Sequence, residues 1–350
     1  MVRECGWSSA RMSANMSQMK AAYITGKEQI EVREAPIPEA GPGEVLLHVR
    51  SSGVCGTDLH SFHGQLPSNA NVPPGHEFAG EVAQAAEGFS EGERVAVEPL
   101  RTCRECNYCR TGNYHLCPAR TLGGVHPGGM AEYVTAPAYA LYQLPDELDF
   151  ELGALVEPIA VAVHGVHMVD ITMGERVLVL GSGTIGLTAI LAARAAGARD
   201  VIASYRYEHQ GKAALAAGAS RIVSADEAGG LAGDEIDVVI ETVGGTAPTI
   251  GDALRSIRPG GRISILGVFT QAINLHPLGM MLKEAKMVAP ITYCRRGQQS
   301  DFDAAIGILR ADPERARALI THRIPLADTA DAFTTAADKK SGSIKVQLTI

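Results

Sequence analysis

The sequence predicts an α/β protein in which a β-rich domain is followed by a doubly wound parallel sheet. Over roughly residues 20–145, short segments that alternate apolar and polar residues are separated by proline and glycine turns, which is typical of β-structure. From about Pro145 onward, strand-like runs such as RVLVLG alternate with helix-like runs such as TIGLTAILAARAAG, which indicates parallel strands joined by helices. The length of 350 residues allows each domain a core of its own.

The change of pattern along the chain predicts the domain limits. Residues 1–18 are polar and aperiodic, so we expect a flexible extension. The β-rich domain is predicted over residues 19–164 and the parallel sheet over residues 165–294. Residues 295–350 contain a helix and a terminal strand near SIKVQLTI, and we expect them to return to the β-rich domain because the parallel sheet already ends.

Composition excludes several classes of partner. The formal net charge is −8 and lysine and arginine do not cluster, so we expect neither nucleic acid nor a membrane surface as a partner. The longest uncharged apolar stretch, residues 177–193, is interrupted by glycines and predicts a strand, a turn and a helix rather than a membrane span. The N-terminus lacks a secretion pattern, so we expect a cytoplasmic protein with reduced cysteines.

A glycine-rich motif predicts a dinucleotide site. The sequence GSGTIG follows the strand-like VLVL and opens a helix-like run, so its glycines would allow a tight turn and a close approach of a pyrophosphate to the helix N-terminus. The predicted cofactor-binding residues of this motif are Gly181, Gly183, Thr184, Ile185 and Gly186.

The tip of the next strand favours NADP over NAD. An NAD site normally carries Asp or Glu there, to bind the ribose 2′-hydroxyl. This chain carries Ser204, Tyr205 and Arg206, which offer hydroxyls and a guanidinium for a 2′-phosphate. Glu208 lies close by, and the alternative that Arg206 is solvated or stacks on adenine stays open.

Four closely spaced cysteines predict a structural metal site. Four thiolates on one loop can surround Zn²⁺ and leave no open position, so such a site stabilises the loop without taking part in chemistry. An iron–sulfur cluster is the alternative, although the spacing matches neither common ferredoxin pattern. The predicted ligands are Cys103, Cys106, Cys109 and Cys117.

Several motifs occur together in a characteristic order. They are GVCGTDLH, GHE with a downstream glycine, the four-cysteine loop, GGMAEYV, EPIAVAVHG and GSGTIG. In this order they resemble the zinc-containing medium-chain dehydrogenases, in particular the sorbitol and threonine dehydrogenase branch, from about Met19 to the C-terminus. The resemblance implies a GroES-like catalytic domain and a Rossmann domain, with the active site in the cleft between them.

The resemblance also implies a catalytic zinc. Cys55, His76 and Glu77 would surround it, and Glu157 would be a direct or water-mediated ligand. Alcohol dehydrogenases carry a second cysteine where this chain has Glu157, which favours the polyol branch. With the four-cysteine site, this gives two zinc ions per chain.

The implied activity is reversible hydride transfer between NAD(P) and a small hydroxylated substrate, which could be a secondary alcohol, polyol, sugar or cyclitol, giving its ketone or aldehyde. Zinc would lower the pKa of the substrate hydroxyl. Thr57 is predicted to relay the proton and His60 to pass it on; the alternative is that Thr57 caps a helix opening at Asp58 and His60 is merely packed. Candidate pocket residues are Phe62, His63 and His126.

Other functional classes stay open at this point. A zinc-free quinone or enoyl reductase would lack the catalytic ligand set, whereas a non-catalytic zinc-binding protein would keep the fold. We expect a homodimer or homotetramer acting on an alcohol or ketone. His164 is expected to be a packed core histidine, and Cys5 and Cys294 free thiols.

Overall fold

The computed structural model describes residues 18–121 and 127–350. The expectations about residues 1–17 and His126 lie outside the described residues. Within them, the strands are β1 (Gln18–Gly26), β2 (Gln29–Pro36), β3 (Glu44–Gly53), β4 (Glu77–Val82), β5 (Arg94–Val97), β6 (Tyr133–Pro137), β7 (Leu141–Gln143), β8 (Arg176–Leu180), β9 (Asp200–Tyr205), β10 (Arg221–Ser224), β11 (Ile236–Glu241), β12 (Ile257–Ile265), β13 (Lys286–Val288), β14 (Arg295–Arg296), β15 (Gln299–Ser300), β16 (Ile320–Pro325) and β17 (Lys345–Thr349). The helices are α1 (Gly56–Phe62), α2 (Asn107–Arg110), α3 (Phe150–Ala154), α4 (Val156–His167), α5 (Thr184–Ala195), α6 (Glu208–Ala216), α7 (Thr249–Ser256), α8 (Pro277–Lys283), α9 (Asp301–Ala311), α10 (Pro313–Arg317) and α11 (Thr329–Ala337).

The first part of the chain and its last two strands form an antiparallel hairpin and a seven-stranded sheet. Strands β1 and β2 form the hairpin. The sheet runs in the order β16-β17-β3-β4-β5-β7, and β6 also pairs with β3. The C-terminal strand β17 lies antiparallel to β3, with Gln347 opposite Gly53, so the end of the chain packs beside the strand that leads to Cys55.

The middle of the chain forms a six-stranded sheet in the order β10-β9-β8-β11-β12-β13. Each strand pair in it is parallel. The order turns back at β8, where β9 lies on one side and β11 on the other, which is the doubly wound arrangement that leaves a ligand crevice at the carboxyl ends of the strands.

The helical segment between the two sheets differs from the sequence expectation. The run ELGALVEPIAVAVHGVHMV predicts one helix, but the structure has α3 and then α4, separated at Leu155. Pro158 lies in the first turn of α4 and has no N–H to donate to the preceding turn, which favours a break before it. Most of α4 is buried, and it belongs to a core that extends from the β-rich part into the parallel sheet.

No helix among residues 18–121 and 127–350 is both long and apolar enough to cross a membrane.

Candidate active site

Cys55 lies just after β3 and is the N-cap residue of α1. Its N–H donates to the Asp58 carboxylate at 2.9 Å, which fixes the turn that presents the thiol. Burial raises the pKa of Asp58, while the charge of His76 acts in the opposite direction. The alternative that Thr57 caps a helix opening at Asp58 is wrong, because the helix begins at Gly56 and Cys55 is its N-cap.

The register of β3 and β4 brings the next two predicted ligands to Cys55. Glu77 begins β4 opposite Gly53, the last residue of β3, and Cys55 follows two residues later. His76 directly precedes Glu77. Ligand atoms of Cys55, His76 and Glu77 all lie within 4.8 Å of one another.

Acidic neighbours favour the charged form of His76 in this cluster. Burial opposes protonation of His76, yet the charges of Cys55 and Asp58 raise its pKa well above the ordinary value. A divalent cation would satisfy the same donors, and thiolate, imidazole and carboxylate are the ligands that zinc prefers. The residues present therefore fit a zinc ion.

Glu157 lies in the first turn of α4 and is buried. Burial raises its pKa to about 8, and the charge of Glu77 acts in the same direction. The charge of Glu157 acts on His76, but its carboxylate is not among the three ligand atoms that lie within 4.8 Å of one another. Glu157 thus lies beside the cluster but is not one of its three closely spaced donors.

Lys345 is a site residue that the sequence analysis missed. Its ammonium donates to Glu77 Oε2 at 2.5 Å and to the Val54 carbonyl at 3.0 Å. Both Lys345 and Glu77 are only 1% exposed. Burial alone would lower the pKa of Lys345, but the neighbouring Glu77 and Cys55 raise it, so the side chain stays charged. The sequence did offer one signal for it: Lys345 stands between two apolar residues, Ile344 and Val346, at the start of the last strand.

A cavity of about 240 Å³ opens beside the cluster. Thr57, Asp58 and His76 form part of its wall, and Thr57 Oγ1 lies 3.8 Å from Cys55 Sγ. The rest of the described lining combines polar and apolar side chains: Ile24, Ser61, Leu66, Pro67, Ser68, Asn69, Val72, Pro74 and Gly75.

Three other residues predicted near the substrate do not line this cavity. His60 Nδ1 lies 2.5 Å from Gln65 Oε1, and His63 pairs with Glu28 at 3.2 Å. Phe62 is buried and packs against Phe333, with ring centroids 5.2 Å apart, so it belongs to the core.

The four-cysteine loop brings its sulfur atoms together. The Sγ–Sγ distance is 3.5 Å between Cys117 and Cys103, 3.6 Å between Cys106 and Cys109, and 3.8 Å between Cys103 and Cys109. Tetrahedral zinc with Zn–S bonds of about 2.3 Å requires sulfur atoms about 3.8 Å apart. This sulfur set therefore also fits a zinc ion.

The glycine motif forms a tight turn between β8 and α5. Gly181 has φ +94°, and a Cβ on Gly186 would lie 1.9 Å from the Gly181 carbonyl oxygen. A Cβ on Gly183 would meet nothing within 4 Å, so space is open in front of the helix N-terminus. Ile185 lies in the first turn of α5, and the Thr184 hydroxyl donates to the Ile344 carbonyl at 3.0 Å.

Three predicted cofactor-binding residues lie at the end of β9, beside this turn, and they differ in exposure. Ser204 is buried, and its hydroxyl accepts from the Gly181 N–H at 2.9 Å, so it supports the turn. The Tyr205 hydroxyl lies 3.5 Å from Glu208. Arg206 is exposed, and its guanidinium has no hydrogen bond or ion pair within the part of the chain that the structure describes.

Comparison with known proteins agrees with this geometry. Residues 41–146 match the alcohol dehydrogenase GroES-like domain and residues 184–311 match the zinc-binding dehydrogenase family. Bovine sorbitol dehydrogenase is 30% identical over 355 residues, which cover 96% of this chain and 98% of the relative. The chain belongs to the zinc-containing medium-chain alcohol and polyol dehydrogenases.

Two further relatives of the dehydrogenase span most of its length. L-arabinitol 4-dehydrogenase from Talaromyces emersonii is 32% identical over 88% of this chain and 85% of its own. A solved structure described as a zinc-binding dehydrogenase from Sinorhizobium meliloti 1021, bound to NADP, superposes with a TM-score of 0.87, at 32% identity over 95% of this chain and 100% of its own.

These findings confirm the predicted fold class, family and enzyme class. The dehydrogenase is a zinc-dependent oxidoreductase that transfers a hydride between NAD(P) and a small hydroxylated substrate.

Proposed function

We propose that the dehydrogenase oxidises a neutral polyhydroxylated molecule reversibly, with a catalytic zinc on Cys55, His76 and Glu77. The observation that carries this proposal is the convergence of three buried or half-buried donors within 4.8 Å at the wall of a cavity. When bound, zinc would supply a Lewis acid for the substrate oxygen, and the nicotinamide would accept the hydride.

The cavity lining supports a neutral substrate. The described lining contains no lysine or arginine that could bind a phosphate or carboxylate group. The hydroxyls of Ser61 and Ser68 and the amide of Asn69 can exchange hydrogen bonds with several substrate hydroxyls, while Ile24 and Val72 can contact its carbon chain. Relatives named for sorbitol and arabinitol act on molecules of this class.

Thr57 is the proposed first proton acceptor. Its hydroxyl lies at the cavity wall 3.8 Å from the Cys55 sulfur, close to where the substrate oxygen would bind. We propose that it passes the substrate proton toward His60, whose imidazole can release the proton to water. Glu157 would act through a water molecule rather than as a direct ligand, because its carboxylate lies outside the closest set of donors.

We propose a second, structural zinc on Cys103, Cys106, Cys109 and Cys117, which gives two zinc ions per chain for these two sites. The sulfur separations support a closed tetrahedral site with no open position. The six described cysteines are all unpaired, which favours a reducing compartment and therefore a cytoplasmic enzyme.

We propose NADP as the preferred cofactor. At the end of β9, Tyr205 occupies the position where an NAD site normally has Asp or Glu. The exposed Arg206 guanidinium has no partner among the described residues, so it is available to a 2′-phosphate. The NADP bound to the Sinorhizobium relative is consistent with this assignment.

We propose that the enzyme is a homodimer, with a tetramer as the alternative. Strand β13 is at the edge of the parallel sheet, and α8, which precedes it in the chain, exposes Leu278, Met281 and Leu282 by 52%, 67% and 72%. A second copy could continue the sheet and cover these apolar side chains.

A turnover assay tests the proposed substrate class. Zinc-loaded enzyme is assayed with unphosphorylated polyols, their phosphate esters and simple alcohols, each with NADP and NAD. We expect the highest kcat/KM for an unphosphorylated polyol with NADP. A clear preference for a phosphate ester or for a simple primary alcohol would contradict the proposal.

A further inference from the structure

A second group of metal-binding side chains lies within the core, away from the cavity lining. It joins His164 on α4, Cys294 before β14 and Asp301 at the start of α9. Their exposed fractions are 1%, 3% and 1%. Neither the dinucleotide site nor the two zinc sites described above uses any of them.

The spacing of this group suits a tetrahedral ion. His164 Nδ1 lies 3.1 Å from Asp301 Oδ2 and 3.5 Å from Cys294 Sγ, and the three ligand atoms lie within 4.8 Å of one another. Zinc bonds of about 2.0–2.3 Å at tetrahedral angles place nitrogen about 3.3 Å from oxygen and about 3.5 Å from sulfur. An ion could therefore enter with shifts of a few tenths of an ångström.

The surroundings hold the carboxylate in place and connect it to the surface. The Cys294 N–H donates to Asp301 Oδ2 at 2.7 Å. The other oxygen, Oδ1, lies 2.9 Å from Nδ1 of His167, whose side chain is 38% exposed. His167 thus forms a polar connection between solvent and the buried group, which gives a metal ion a way in.

A neighbouring histidine provides a second, independent observation. His115 is 6% exposed, and its Nδ1 has no hydrogen-bond partner within residues 18–121 and 127–350. Its ring packs edge-on against the His164 ring, with centroids 4.9 Å apart. The core therefore holds an unsatisfied ring nitrogen on the residue that packs directly against His164.

We propose that His164, Cys294 and Asp301 form a third metal site, which takes Zn²⁺ or a divalent cation with similar ligand preferences such as Co²⁺. Thiolate and carboxylate together balance the two positive charges of the ion, and the imidazole binds as a neutral ligand. On binding, the Cys294 thiol releases its proton to solvent and no group is oxidised or reduced. The ion would tie α4 to the start of α9, and so stabilise the helix that carries Glu157.

A metal count tests the proposal. Full-length protein saturated with Zn²⁺ is freed of unbound metal by gel filtration, and its zinc is measured per chain by mass spectrometry. We expect three equivalents in the wild type, two in Cys294→Ser and three in His167→Gln. The last variant is the matched control, because it changes a neighbour of Asp301 and leaves all three ligands. Two equivalents in the wild type, or three in Cys294→Ser, would overturn the proposal.

A measurement on the wild type alone covers the case in which Cys294→Ser does not fold. Anomalous scattering at the zinc edge, from crystals grown with saturating Zn²⁺, should give a peak within bonding distance of His164 Nδ1, Cys294 Sγ and Asp301. Peaks at the two cysteine-containing sites described above with none at this group would overturn the proposal.

Discussion

At the scale of a single residue, the proposed preference for NADP depends on Arg206. Its guanidinium is exposed and unpaired among the described side chains, so it can form charge-assisted hydrogen bonds to the 2′-phosphate of NADP. Arg206→Asp should raise the Kd for NADPH at least tenfold and lower the Kd for NADH, because the carboxylate repels the phosphate and binds the ribose hydroxyl. Titration of both cofactors by fluorescence checks this, with Arg206→Gln as the control that removes the charge alone; unchanged Kd values in the Asp variant would refute the assignment.

The stability lost when Lys345 is replaced should depend on whether zinc is bound. Removing one partner of a buried ion pair costs about 3–5 kcal/mol, since the other charge is left without compensation. In metal-free protein, Lys345→Met should lower the free energy of unfolding by about this amount, because Glu77 loses its buried cation. In zinc-loaded protein the loss should be smaller, since the metal supplies positive charge to Glu77.

Denaturant titration of Lys345→Met with and without zinc measures the two losses. Lys340→Met serves as a control, because Lys340 is exposed and its side chain makes no ion pair among the described residues. Equal losses in the two forms would mean that Lys345 and the metal do not share Glu77.

At the scale of the element, the second and third glycines of GSGTIG should separate cofactor binding from folding. A Cβ on Gly183 enters open space, whereas one on Gly186 clashes with the Gly181 carbonyl at 1.9 Å. Gly183→Ala should keep the melting temperature within a few degrees but weaken cofactor binding at least tenfold. Gly186→Ala should lower the melting temperature markedly. Thermal unfolding and cofactor titration check both, and a wild-type affinity in Gly183→Ala would contradict the assignment of that space to the pyrophosphate.

The sequence predicts an element when the signal lies in neighbouring residues, and it does not predict contacts between residues far apart in the chain. The strand, the turn and the helix around GSGTIG follow from neighbouring residues, and β8 and α5 have the predicted form. The pairing of Glu77 with Lys345 joins residues 268 positions apart and depends on β17 lying beside β3. The role of Ser204 likewise depends on how β9 packs against the glycine turn. Such contacts are properties of sheet order and register, which no local pattern encodes.

At the scale of the whole molecule, Glu98 should make stability depend on pH. Burial raises its pKa to about 7, although the hydroxyls of Tyr142 and Tyr114 donate to it at 3.0 and 3.1 Å. The folded state thus keeps a proton that the unfolded state loses from about pH 4.5 upward. Stability should therefore fall as pH rises between about 4.5 and 7, by up to about 3 kcal/mol.

Glu98→Gln isolates this contribution because glutamine accepts from the same hydroxyls without ionising. The variant should gain stability relative to wild type as pH rises from 5 to 8, measured by urea unfolding at several pH values. A difference between the two proteins that is constant over this range would contradict the raised pKa.

Taken as a whole, the molecule places the start of its last strand, the start of α1 and the start of β4 around one group of donors. The sequence predicts the residue types at this meeting point through the order of its motifs. The folded chain adds the neighbours that hold them, above all Asp58 behind Cys55 and Lys345 behind Glu77.

The most direct test compares the zinc content and turnover of Cys55→Ser with those of wild type. Cys55→Ser should hold one zinc equivalent fewer per chain and lose turnover at least a thousandfold, with the four-cysteine loop still loaded. Wild-type zinc content together with undiminished turnover would contradict it.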